Sequence, residues 1–83
     1  MSEPTAAEVF DRDFLVVRAK LLEIAASLDR VARAPGEPTD ATRVSQLRVA
    51  METLLIQGDD RAERLQQIFS LPYDGSWRDT FGV

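Results

Sequence analysis

Along the chain, Phe10, Phe14, Val17, Leu21, Ile24, Leu28 and Val31 recur at alternating spacings of four and three, which keeps one apolar stripe on one side of a helix for three heptads. Thr5-Ala6-Ala7-Glu8 has the form of a capping box, and no Gly or Pro falls between Pro4 and Pro35. The pattern therefore predicts one uninterrupted helix over about 6–34. Glu8 with Arg12 and Asp29 with Arg33 are favourable pairs four apart, and Arg30 and Arg33 complement the negative end of the helix. Val9, Leu15, Val16, Leu22, Ala25 and Ala32 widen the stripe on both flanks. A helix apolar around this much of its circumference needs neighbours on two sides.

Ala34-Pro35-Gly36-Glu37-Pro38 ends the run, because Pro35 disfavours a helical Ala34 and Gly36 can take positive φ. Thr39 or Asp40 then caps a second helix over about 40–57, with Val44, Leu47, Met51, Leu54 and Leu55 as its inner face and Val49 and Ile56 away from it. Gly58 fits a helix end, and Asp59-Asp60 restarts the chain as a third helix over about 60–70. Its inner face is expected at Ala62, Leu65, Ile68 and Phe69. The two shorter helices would lie end to end along the long one with a bend at Gly58, or the third would fold back.

Pro72 closes the third helix, and a turn at Asp74-Gly75 marks the tail, 71–83. Four of the six aromatic residues, Phe69, Tyr73, Trp77 and Phe81, fall in the last fifteen positions. So aromatic a tail is expected to be ordered, with Tyr73, Trp77 and Phe81 acting as a lid on the core or as an anchor for another protein. The predicted fold is all-α and a single domain. A long and a medium helix form an antiparallel hairpin, a short third helix and the aromatic tail complete it, and self-association makes the bundle.

Composition narrows the function classes. A chain of 83 residues hides only about 60% of its unfolded surface when it folds alone, so its stability is expected to be marginal. With 45% apolar and 29% charged residues it should nevertheless fold. Fourteen acidic residues are interleaved with ten basic ones for a net charge of −4, which argues against nucleic acid as a partner. The start shows no basic segment followed by an apolar run, and no apolar stretch is long enough for a membrane span; the cytoplasm is the expected location. The nearly even charge on the polar side of the first helix argues against a membrane-lying role.

Histidine and cysteine are both absent, which removes the commonest general base and the commonest metal ligands. No enzyme activity and no cofactor are expected. Lys20, at the edge of the stripe, reads as a side chain that lays its methylenes on the core and keeps its amine wet. Asp59, Asp60 and Glu63 are the densest acidic cluster, and helix capping accounts for them without a metal.

Nine of the ten basic residues are Arg, which suits bidentate pairing at an interface and is equally produced by a GC-rich genome. Arg30, Arg33 and Arg43 could meet near the hairpin turn, where an anion would be welcome, although dipole compensation and pairing to Glu37 or Asp40 explain them as well. The leading expectation is a non-enzymatic interaction or structural module. It would pack as a homo-oligomer, most simply a dimer, or on a partner helix, through Phe10, Phe14, Leu15, Val17, Leu21, Leu22, Ile24, Leu28 and Val31. The alternative is an anion or small-ligand binding protein that uses the three arginines.

Overall fold

The computed structural model describes residues 2–70, which form three helices and no strand: α1 (Ala6–Arg33), α2 (Ala41–Thr53) and α3 (Arg61–Ser70). The expected aromatic tail with Tyr73, Trp77 and Phe81 lies outside the described residues. The chain divides between Gly36 and Glu37 into two units, one containing α1 and the other α2 and α3.

α1 is unbroken for 28 residues, roughly 42 Å at 1.5 Å per residue. Its capping box is formed on both sides. The Glu8 backbone N–H donates to Thr5 Oγ1 at 3.2 Å, and the Thr5 N–H donates to Glu8 Oε1 at 3.3 Å. With Glu8 held there, Arg12 pairs instead with Asp13, its Nε 3.0 Å from Oδ1. Ala34 is extended, with φ −73 and ψ 149, as its place before a proline requires. Its N–H still donates to Arg30 O at 3.2 Å and closes the last turn. No residue of α1 is buried.

α2 starts at Asp40, whose Oδ1 accepts the Arg43 N–H at 3.0 Å. The helix stops at Thr53, four residues before the expected end. Leu55 and Ile56 donate three residues back, to Glu52 O (3.1 Å) and Thr53 O (3.2 Å), so the spiral tightens into a turn. The Arg61 guanidinium locks this turn, its Nε donating to Leu54 O at 3.0 Å and its Nη1 to Gly58 O at 2.9 Å. Gly58 has φ 146, a backbone conformation that residues with a side chain rarely adopt.

The reversal folds α3 back on α2, so these two helices are not laid end to end. Their core is small: Val49, Ala50, Thr53 and Ile68 are buried, and Leu65 packs beside them. This is the opposite face of α2 from the expected one. Val44, Leu47, Met51 and Leu54 stay 39–46% exposed, and Leu55 lies almost fully in water. The pairing favours small side chains, because interaxial distance is set by the residues at the crossing. Thr53 can be buried because its hydroxyl donates to Val49 O at 2.7 Å, and Gln46 Nε2 reaches across to Ile68 O at 3.3 Å. On α3, Leu65 and Ile68 face inward as expected. Ala62 and Phe69 do not; half-buried Arg61 and Arg64 complete that face.

Candidate functional site

Among the described residues, most of the exposed large apolar side chains lie along α1. Taking the spacing of four and three as a heptad places Ala7, Phe14, Leu21 and Leu28 at its a positions and Phe10, Val17, Ile24 and Val31 at its d positions. The seven large residues of the stripe are each between 41% and 66% exposed. The Phe10 and Phe14 ring centroids sit 5.8 Å apart with the planes tilted by 45°, so these two members of the stripe pack on each other. Leu15, Val16 and Leu22 extend the exposed surface around the helix.

Charges border the stripe in a definite order. Asp11 and Arg18 stand on one edge, and Asp13 and Lys20 on the other, each one heptad apart. Lys20 is exposed, so its amine is not withdrawn from water. The hydrogen bond from Arg12, reinforced by its positive charge, holds the Asp13 carboxyl below its ordinary range.

The three arginines of the expected anion site are each engaged within their own helix turn. Arg30 Nη2 donates to Ser27 Oγ at 2.8 Å, and Arg33 Nε to Asp29 O at 3.3 Å. Arg43 Nε pairs with Asp40 Oδ2 at 3.0 Å. Arg30 and Arg33 belong to the first unit and Arg43 to the second. The Asp40 carboxyl is lowered chiefly by the Arg43 backbone N–H it accepts, and further by the Arg43 guanidinium. In the acidic cluster, Asp60 is taken up by Arg64 at 3.1 Å. Among the described residues no group of three or more carboxylates is placed to hold a metal ion.

Two features escaped the sequence pattern: the α2 face of Val49, Ala50 and Thr53, and the locking role of Arg61. A signal existed for the first, since Gln46, Val49, Ala50, Thr53 and Ile56 also recur at helical spacing. It was outweighed by the larger side chains opposite. No protein-family model, curated protein or solved structure matches the chain. No described helix is long and apolar enough to cross a membrane.

Proposed function

We propose that this chain is a small non-enzymatic helical module that works by packing and self-associates along α1. The observation that carries this reading is the continuous stripe from Phe10 to Val31, with every large residue exposed along an unbroken 28-residue helix. Contiguous apolar patches of this kind mark interaction surfaces. The smallest assembly that closes is a two-fold dimer in which α1 of each copy supplies the central surface.

Engagement of Arg30, Arg33 and Arg43 within their own turns favours packing over an anion site. The test is the solution mass of the native chain across micromolar concentrations. A mass of at least twice 9.3 kDa, falling on dilution, supports the proposal. A single 9.3 kDa species throughout, with no binding of a dye for apolar surface, overturns it.

A further inference from the structure

Resting on the self-association proposed above, we infer that α1 pairs with α1 of a second copy in parallel and in register. The charges beside the stripe favour that direction. In a parallel pair each g residue meets the e residue that follows it on the neighbouring helix, and such pairs set orientation. Here that brings Asp13 of each copy to Arg18 of the other, twice over by symmetry. The remaining positions of this kind join Ala6 to Asp11, Lys20 to Ala25 and Ser27 to Ala32, so no like charges meet.

An antiparallel pair with every core layer filled is different. Ala7 then faces Val31, Phe14 faces Ile24 and Leu21 faces Val17. On the flanks Arg18 meets its own counterpart and Lys20 meets its own counterpart, two like-charged contacts at the centre of the interface.

Sliding the antiparallel pair by one heptad escapes this only by giving up core. In one direction Phe10 has nothing opposite it, since its place is taken by Pro35 beyond the helix end. In the other, Asp11 finds Arg18 and Asp13 finds Lys20, but Leu28 and Val31 of both copies are left exposed. An exposed ion pair contributes less than burying an aliphatic side chain, so four such pairs do not offset four lost side chains. Only the parallel arrangement fills every layer with opposite charges beside it. Leucine at a with β-branched residues at d also suits assemblies larger than two strands. The test therefore reads direction, not copy number.

The native chain has no cysteine, which makes a disulfide test clean. Two full-length single variants, Ala7→Cys and Val31→Cys, are mixed in equal amounts in a glutathione redox buffer, and the disulfide-linked products are separated by mass. The two positions lie 24 residues apart on α1, roughly 36 Å at 1.5 Å per residue. Parallel pairing predicts Ala7–Ala7 and Val31–Val31 products in about tenfold excess over the mixed product, because only ends held together share a high effective concentration.

A dominant mixed product, or like products at or below the statistical proportion, overturns the parallel direction. Sedimentation of the unmodified chain separates the two failures: if it is monomeric, self-association itself has failed, and if it is assembled, only the direction has. Charge exchange gives an independent reading. Asp13→Arg alone and Arg18→Asp alone should each weaken association several-fold, and the double exchange should restore it. A double variant no tighter than either single one also overturns the inference.

Discussion

Leu21 sits at an a position in the middle of the stripe and is 55% exposed, so Leu21→Ala tests how much of its surface association covers. Full burial of a leucine side chain is worth about 1.5–3 kcal/mol, and the half still facing water accounts for about 0.8–1.6 kcal/mol of that. In a two-fold assembly the residue counts once per copy, which gives about 1.6–3.3 kcal/mol. At 1.4 kcal/mol per decade this weakens the dimer about 15- to 200-fold in Kd. The substitution should not unfold α1, because alanine is the better helix former and Leu21 is not buried in the single chain. Sedimentation equilibrium over a concentration series, with circular dichroism on the same samples, separates association from helicity. A mass curve for Leu21→Ala that overlies the native one would refute the reasoning, because the stripe would then be facing water in solution too.

Ile68→Ala removes the one fully buried aliphatic residue between α2 and α3, a change that costs about 2–5 kcal/mol in ordinary cores. So small a core has little reserve, and hydrogen exchange should show protection of Val49, Ala50 and Thr53 amides collapsing; unchanged protection contradicts the packing described. Gly58→Ala should lower the thermal midpoint. A Cβ there meets the movable Asp60 carboxylate at 3.3 Å, so the cost is mainly backbone strain at φ 146, about 1–3 kcal/mol; an unchanged midpoint in Gly58→Ala would contradict the strained turn. Asp40 is lowered in the folded chain, so the stability it contributes is present above its ordinary value of 3.8 and is lost as pH falls through the lower folded value. The Arg43 amide resonance should titrate with a midpoint below 3.8, and Asp40→Asn, which keeps the cap, should abolish that titration.

Local chemistry with a single partner was legible from the sequence. Thr5 and Glu8 cap one another across three residues, Pro35 dictates an extended Ala34, and Asp40 caps the helix that follows it. None of these depends on what the rest of the chain does. The end of α2 was not legible, because its turn is locked by Arg61, seven residues beyond Leu54, and only the folded chain brings them together. The buried face of α2 was not legible for a different reason. Both sides of that helix carry apolar residues at helical spacing, and ranking them by size favours Val44, Leu47 and Met51. The contact with α3 is governed by fit, which favours Val49, Ala50 and Thr53. The three candidate arginines were legible as a cluster only under an assumed hairpin, and each satisfies itself within its own turn.

That inversion of size and burial bears on what the chain is for. A domain folding only for itself gains most by burying its largest apolar side chains, since stabilisation scales with the apolar area removed from water. Among the described residues the core uses a valine, an alanine, a threonine and one isoleucine, while the large residues of α1 and the outer face of α2 are exposed. The α2–α3 pair is held in shape by the small cluster around Ile68 together with a satisfied hydroxyl, a glutamine reaching a carbonyl and an arginine locking the turn. Such a pair fixes its geometry while leaving Val44, Leu47, Met51 and Leu54 exposed. The same logic applies to α1, whose capping box and closed last turn secure a helix with no buried residue of its own. Local bonds hold each described helix in shape while its large apolar residues stay exposed, and in the proposed assembly these are the residues that a second copy covers.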